Sequence, residues 1–136
     1  MITHNPDETI EYARKFAHKL KGGEIIGLIG ELGSGKTTFV KGLARGLGIK
    51  EPITSPTFVM LKEHRIPKAN QPILVHVDAY RIESLGDIKS VGIEDYLNRD
   101  DVILVIEWAE KIKKILPKDT LEINFKHKSE KEREIN

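Results

Sequence analysis

The chain has 136 residues, which suits one compact domain, and we predict a single domain over residues 1–136. Its 22 basic and 21 acidic residues give a formal net charge of +1, which excludes a strong overall field for nucleic acid or a membrane surface. The absence of cysteine excludes disulfides and thiolate metal sites, and it suits a reducing compartment.

The first predicted element is a helix near the N-terminus. Asn5 can cap this helix, Pro6 suits its first position, and Glu8 can complete a capping box. Apolar residues then recur at helical spacing up to Leu20, and the pair Gly22–Gly23 ends the pattern. The segment carries acids where a signal peptide needs an apolar core, so we predict a soluble, cytoplasmic protein.

Strands and helices alternate along the rest of the chain. The sequence predicts strands over 24–29, 57–62, 73–78, 102–107 and 121–126, helices over 36–47 and 109–115, and short helical pieces between 85 and 98. Residues 65–72 are predicted as a polar loop, and the charged tail from Lys126 onward as a surface element. This alternation predicts an α/β sheet covered on both faces, with ligands at the carboxyl ends of its strands.

Residues 30–37, GELGSGKT, fit the complete G-x-x-x-x-G-K-[ST] motif between a predicted strand and a predicted helix. The glycines allow a tight turn whose backbone N–H groups form an anion nest, and the following helix adds its positive end. Lys36 supplies a charge for the β- and γ-phosphates, and the Thr37 hydroxyl is placed to ligate Mg²⁺. The flanking elements argue against a glycine-rich turn with a chance lysine. We therefore predict a single-domain P-loop NTPase fold, an α/β protein with a mostly parallel central sheet flanked by helices.

Two acidic residues end apolar strands and are candidates for the metal site. Asp78 follows ILVHV and Glu107 follows VILVI, so both are expected at the same edge as the P-loop. For Glu107 a magnesium ion is the evident partner, and capping of the next helix is the secondary interpretation. For Asp78, positioning of metal or water and a structural role are equally open.

Other polar residues near the motif carry weaker signals. Thr57 can report on a γ-phosphate, as switch residues do, or it can be an ordinary turn residue beside Pro56. His76 and Asp78 share one strand face, and a hydrogen-bonded core histidine is favoured over a zinc ligand because no further ligands lie nearby. Arg81 is open between phosphate or carboxylate binding and a surface salt bridge.

The sequence favours ATP over GTP and hydrolysis over phosphate transfer. The nearest string to the guanine-reading N-K-x-D motif, NRDD at 98–101, lacks the lysine and the spacing. No segment is long and arginine-rich enough for the phosphate-covering lid of a small-molecule kinase. No arginine finger is evident, so hydrolysis by the isolated chain should be slow unless a partner raises it. A small-molecule kinase and a nucleotide-dependent binding module without useful hydrolysis stay as alternatives.

Four strings in this order resemble the TsaE (YjeE) family, bacterial P-loop ATPases of tRNA threonylcarbamoyladenosine synthesis. They are GELGSGKTTF at 30–39, SPTF at 55–58, HVDAYRI at 76–82 and IEWAE at 106–110. Many families share the P-loop, whereas the ordered combination is specific. The resemblance covers nearly the whole chain, and it departs from the usual family pattern at Ala109, where a proline is common.

The resemblance implies a role for each matching residue. Thr37 and Glu107 would hold Mg²⁺, Thr57 would be the switch residue, and Asp78 would be needed for hydrolysis. The implied catalytic set is Lys36, Thr57, Asp78 and Glu107; the implied ATP-binding set is Glu8, Gly33, Ser34, Gly35, Lys36, Thr37, Thr38, Trp108 and Arg133. Glu8 would lie near adenine, and Trp108 beside the nucleotide, although spacing alone favours a core position for Trp108.

The resemblance also implies partners. By this resemblance, the chain is expected to dock on the TsaB–TsaD protein pair and to hydrolyse ATP so that the complex turns over, meeting tRNA only through that complex. The near-neutral charge of this chain agrees with protein partners better than with independent RNA binding.

Overall fold

The computed structural model describes residues 1–54, 60–68, 70 and 72–136. Strands in this part of the chain are Ile2–Thr3 (β1), Ile25–Gly30 (β2), Leu61–Arg65 (β3), Ile73–Asp78 (β4), Val102–Glu107 (β5), Leu121–His127 (β6) and Arg133–Ile135 (β7). The α-helices are Pro6–Ala17 (α1), Lys36–Gly46 (α2) and Leu85–Val91 (α3), and 3₁₀ helices span Ile93–Tyr96 and Ala109–Ile115. None of these helices is long and apolar enough to cross a membrane.

The strands described here form one sheet in the order β1-β7-β6-β2-β5-β4-β3. Its centre, β6-β2-β5-β4, is parallel, whereas β1, β7 and β3 pair antiparallel at the two sides. The predicted α/β fold with a parallel central sheet is confirmed, and the sheet as a whole is mixed. Because β2, β5 and β4 run in the same direction, their carboxyl ends meet at one edge, where Asp78 lies in register with Glu107.

Helices cover both faces of the sheet because alternate strand residues point to opposite sides. Along β5, Ile103 and Val105 pack in the core under α1 and α2, whereas Leu104 and Ile106 pack in the core under α3 and the 3₁₀ helices. These strand residues are almost completely buried. A strand buried on both faces carries a continuous apolar run, which explains why the sequence of β5 alternates so little.

Helices α1 and α2 pack closely through small residues. A Cβ atom added at Gly42 would lie 2.3 Å from the Ile10 carbonyl oxygen and 2.6 Å from the Ala13 Cβ atom. Both distances are too short for real atoms, so the glycine sets how near the two helices approach. The position of α2 matters for the site because Lys36, a residue of the P-loop motif, is the first residue of this helix.

We expect Gly42→Ala to lower the free energy of unfolding by about 1–3 kcal/mol, because the added methyl group must push the helices apart and overpacking costs that much. Urea denaturation measures the change. Gly86→Ala is a matched control, since Gly86 also lies in a helix and its added Cβ would meet only the Ser84 Oγ atom at 3.6 Å. Helix propensity alone would make both changes neutral or stabilising. A Gly42→Ala protein at least as stable as wild type would contradict the close packing.

The N-terminal cap follows the prediction only in part. Asn5 caps α1, its Oδ1 accepting from the Glu8 backbone N–H at 2.9 Å, and Pro6 holds the first helical position. The capping-box interpretation of Glu8 was wrong. Its Oε1 accepts from the backbone N–H of His4 at 3.2 Å and lies 2.9 Å from His4 Nδ1, one residue before the cap. The backbone N–H and the imidazole of His4 thus take the place of the N-cap amide as the carboxylate's partners.

The prediction of the C-terminal tail as a surface element fits residues 126–131, which are exposed, and is wrong for the last residues of the chain. Strand β6 continues to His127, and β7 pairs with both β6 and β1. Ile135 is 1% exposed and packs in the core under α1 and α2. A three-residue strand with one buried side chain is too short to show an alternating pattern within a charged sequence. The surrounding charges therefore hid a strand that closes one side of the sheet.

Two other boundaries differ from the prediction. The segment Ala109–Ile115 is a 3₁₀ helix broken at Ile112, whose φ of −124° is not helical. The predicted loop over 65–72 begins inside β3, and Ile66 within it is buried. The start of the predicted strand over 57–62 lies outside the described residues, whereas the short helical pieces between 85 and 98 are confirmed.

Candidate functional site

The P-loop motif joins β2 to α2 at the carboxyl edge of the sheet. Gly35 is the N-cap residue of α2 and adopts φ 106° and ψ 11°, a left-handed conformation that glycine accepts without strain. Because glycine has no side chain, nothing in the N-cap residue itself can accept from the first N–H groups of the helix. The N-terminal end of α2 therefore offers an anion both free backbone N–H donors and the positive end of the helix dipole.

Lys36 lies at the centre of this loop and is only 4% exposed. Its ammonium donates to the Glu31 carbonyl at 2.8 Å, to Ser34 Oγ at 3.3 Å and to the Gly30 carbonyl. It also lies 4.2 Å from the centroid of the Trp108 ring. Burial lowers the pKa of Lys36, and the negative charge of nearby carboxylates, Glu107 foremost, opposes that shift. The loop thus concentrates positive charge where the backbone donors converge.

Thr37 and Glu107 meet although they are distant in sequence. The Thr37 Oγ1 hydroxyl donates to Glu107 Oε1 at 2.8 Å. The other carboxylate oxygen, Oε2, lies 2.6 Å from His76 Nε2. Glu107 is 3% exposed, so the hydroxyl and the imidazole satisfy a carboxylate that is almost completely removed from water. The expectation of a hydrogen-bonded core histidine at position 76 is confirmed.

Asp78 ends β4 beside Glu107, as the strand-end argument predicted. Its Oδ1 accepts from the Tyr80 backbone N–H at 3.0 Å. Burial raises the pKa of Asp78, and the Tyr80 hydrogen bond partly offsets that effect. The carboxylate remains partly exposed, so it can reach a molecule in the cavity described next.

A cavity of about 290 Å³ brings these groups together. The predicted catalytic, ATP-binding and metal-binding residues that line it are Gly33, Gly35, Lys36, Thr37, Thr38, Asp78, Glu107, Trp108 and Arg133. Ser34 is fully buried, with its hydroxyl on Lys36. Glu8 is not among the lining residues, although its neighbours Pro6 and Thr9 are. Thr57 lies outside the described residues, so its role stays a prediction.

Trp108 directly follows β5 and has an uncommon backbone conformation. Its φ of 61° is left-handed, which is rare for a bulky side chain and marks a constrained turn directly after Glu107. The indole packs on the core beneath α3 and also lines the cavity. Its ring centroid lies 5.0 Å from that of Tyr80. Spacing alone predicted only the core contact, whereas the turn supplies the contact with the cavity.

The C-terminal hairpin brings basic residues to the wall of the cavity beside the P-loop. Arg133 donates to the Gly33 carbonyl at 3.3 Å and to the Glu132 carbonyl at 2.9 Å. Lys131 also lines the cavity. Sequence reasoning missed Lys131 as well as Asn5 and Tyr80, which line the same cavity. The position of Tyr80, two residues after Asp78, could have indicated that it lies near the cavity. The position of Lys131 at the cavity depends on the pairing of β7, which the sequence did not predict.

Comparison with known proteins agrees with this geometry. The family model described as "Threonylcarbamoyl adenosine biosynthesis protein TsaE" matches residues 3–135. The chain belongs to the TsaE family. It is 42% identical over 135 residues to the "tRNA threonylcarbamoyladenosine biosynthesis protein TsaE" of Bacillus subtilis (strain 168), covering 98% of this chain and 80% of that protein. The protein of the same name from Treponema pallidum (strain Nichols) is 37% identical over 134 residues, with 98% and 96% covered.

A solved TsaE-like structure supports the same assignment. The crystal structure of Bacillus subtilis YdiB matches with a TM-score of 0.74 and 38% identity, covering 99% of this chain and 80% of that one. The resemblance seen in the sequence motifs is therefore confirmed over nearly the whole chain. Membership of the TsaE family connects the chain with the biosynthesis of threonylcarbamoyladenosine in tRNA.

Proposed function

We propose that this chain is a Mg²⁺-dependent ATPase subunit of the tRNA N6-threonylcarbamoyladenosine machinery, working with the TsaB and TsaD proteins. The observation that carries the proposal is the contact of the Thr37 hydroxyl with the Glu107 carboxylate at 2.8 Å, beside a complete P-loop and within one cavity. Family membership supports the pathway, and the cavity supports the chemistry.

The donor set at this contact fits magnesium. Mg²⁺ prefers hard oxygen ligands, and it is commonly held by one or two protein oxygens together with substrate phosphates. Thr37 and Glu107 supply a hydroxyl and a carboxylate oxygen on the cavity wall. When bound there, Mg²⁺ supplies charge neutralisation for the β- and γ-phosphates.

The chain itself binds and orients the substrate. Backbone N–H groups at the start of α2 and the Lys36 ammonium bind the phosphates, because they converge where the loop meets the helix. We assign Arg133, which lines the cavity beside Gly33, to contact with the nucleotide, and the segment around Glu8, whose neighbours Pro6 and Thr9 line the cavity, to contact with the base. Trp108 closes the side of the cavity next to Lys36 and reduces access of water there.

Asp78 is placed to orient the attacking water. Its carboxylate ends β4 next to Glu107 and lines the cavity, so it faces the same region as the phosphate-binding loop. A carboxylate that accepts a proton from water, or positions that water in line, is a recurrent part of phosphoryl transfer. Thr57 is the proposed switch residue that responds to the γ-phosphate.

Partner proteins are proposed to raise the rate. Arg133 is engaged with backbone carbonyls rather than extended into the centre of the cavity. An additional cation aimed at the transferred phosphate is worth roughly 10³–10⁵ in rate in related enzymes. The isolated chain should therefore hydrolyse ATP slowly, and assembly with TsaB and TsaD should accelerate it.

We test the proposal by measuring phosphate release from γ-labelled ATP by the chain alone and with TsaB, TsaD and tRNA. We expect release to rise at least about tenfold in the assembled mixture, since partners complete the site. No release in the assembled mixture would overturn the ATPase proposal. Label appearing on a metabolite instead of free phosphate would favour a small-molecule kinase.

A further inference from the structure

His76 is a buried histidine that touches the proposed metal site without entering it. Its side chain is fully buried on β4, and it is not among the residues that line the cavity. Its Nε2 lies 2.6 Å from Glu107 Oε2. The imidazole therefore meets the side of the carboxylate that faces away from Thr37.

The sheet itself fixes this contact. His76 pairs in register with Val105, two residues before Glu107 on the parallel neighbour β5. Leu74 and Val105 pack in the core under α1 and α2, and His76 and Glu107 share their respective strand faces by the two-residue period. Both side chains thus point toward α2, which carries Thr37. Two central strands hold the donor and the acceptor, so little freedom is left in their separation.

The proposed role of Glu107 as a metal ligand assigns a direction to the contact. A carboxylate that binds Mg²⁺ only accepts hydrogen bonds, so the proposed metal role of Glu107 requires His76 Nε2 to carry the proton and donate it. His76 Nδ1 is buried and has no hydrogen-bond partner among the described residues. An imidazole that served packing alone would be replaced at lower cost by an apolar side chain, because an unpaired buried polar atom is unfavourable. The polar function visible for this ring is its bond to Glu107.

We propose that His76 is a positioning residue, which holds Oε2 of Glu107 so that Oε1 stays directed at Thr37 and at a bound Mg²⁺. The inference rests on the proposed function, since it assigns a supporting group to the proposed metal ligand. Groups that orient metal ligands in this way typically contribute 10–100-fold in metal affinity or activity. His76 acts through Glu107 and does not touch the nucleotide.

The first test is made on the wild-type chain. Long-range ¹H–¹⁵N correlation NMR of ¹⁵N-histidine-labelled protein reports which imidazole nitrogen carries the proton. We expect His76 to be protonated at Nε2. A deprotonated Nε2 could not donate to Glu107 and would overturn the proposal.

The second test compares two amides at position 76. His76→Gln places its amide nitrogen near the former Nε2 and can still reach Glu107, whereas His76→Asn is one methylene shorter and cannot. The affinity of ADP is measured by calorimetry in Mg²⁺ and in EDTA, and the ratio of the two affinities gives the coupling to the metal. We expect His76→Asn to lower this ratio about tenfold, with the affinity in EDTA unchanged, and His76→Gln to stay near wild type.

His64→Asn is the matched control. Among the described residues His64 is the other fully buried histidine, and it lies on the neighbouring strand β3. Its Nδ1 lies 2.6 Å from the carboxylate of Glu51, so this histidine also contacts an acid. Its ratio should match that of wild type. Equal ratios for His76→Asn and His76→Gln, or an equal loss in Mg²⁺ and in EDTA, would overturn the positioning role.

A Glu107→Gln arm separates this inference from the proposed function. If Glu107→Gln lowers the ratio and His76→Asn does not, the positioning role fails while the metal site stands. If neither the wild type nor any variant shows Mg²⁺-dependent ADP binding, both proposals fail. Should His76→Asn not fold, the NMR result and His76→Gln decide, because His76→Gln with a ratio as low as that of Glu107→Gln would also contradict the role.

Discussion

Glu107→Gln is expected to lower ATP turnover in the assembled complex by roughly 100-fold, which is about 2.7 kcal/mol of activation free energy. The carboxylate supplies one of the two proposed magnesium ligands, and the amide oxygen that replaces it carries no full charge. Glutamine keeps the volume of the side chain and still accepts from Thr37 or His76, so the fold should survive. Initial rates of phosphate release at saturating ATP measure the effect, with thermal unfolding as the check on folding.

Glu110→Gln is the control for this experiment. Glu110 is exposed, lies in the 3₁₀ helix that follows β5, and also bears on the Lys36 charge from a distance. Glu110→Gln should leave turnover almost unchanged, because water and salt screen the interaction of an exposed charge with a distant site. A folded Glu107→Gln protein with turnover within about fivefold of wild type would exclude Glu107 as an essential metal ligand.

The order of the parallel strands brings the acidic residues of the candidate site next to the P-loop. Strand β5 lies between β2, which leads into the P-loop, and β4, which carries Asp78 and His76. The register between β4 and β5 places Asp78 beside Glu107 and His76 beneath it. Strand β4 thus supplies Asp78, which lines the cavity, and His76, which contacts Glu107 from the core.

Features encoded in short contiguous stretches were predictable from the sequence. The strand–loop–helix around Lys36 follows from local apolar periodicity and glycine positions, and the structure shows β2 and α2 there. The strand ends at Asp78 and Glu107 follow from apolar runs that stop at an acid. A polar residue directly after such a run must lie at the sheet edge, whatever the rest of the fold does.

Features that need distant pairing were not predictable. The bond between His76 and Glu107 joins residues 31 positions apart and exists only in one strand register. The burial of Ile135 depends on the pairing of β7 with β1, at the other end of the chain, and with β6, and apolar periodicity within three residues cannot predict that pairing. Lys131 reaches the cavity for the same reason, whereas Arg133 was predicted there from the family resemblance. The C-terminal segment is rich in charged residues, whereas its structure is determined by the pairing of β7 with β1 and β6.

Lys36→Ala is expected to weaken the binding of Mg²⁺–ADP by about 100-fold, equivalent to about 2.7 kcal/mol, because it removes the buried cation from the phosphate-binding loop. Lys36 is held by carbonyl oxygens of its own loop, so its charge is already placed where the N-terminal end of α2 points. Calorimetric titration with Mg²⁺–ADP measures the loss, and thermal unfolding verifies that the variant is folded. Lys41→Ala is the matched control, since Lys41 lies on the same helix with an exposed side chain and should leave the affinity unchanged. Equal affinities of wild type and Lys36→Ala would mean that the nucleotide does not bind at this loop, and the proposed ATPase would lose its site.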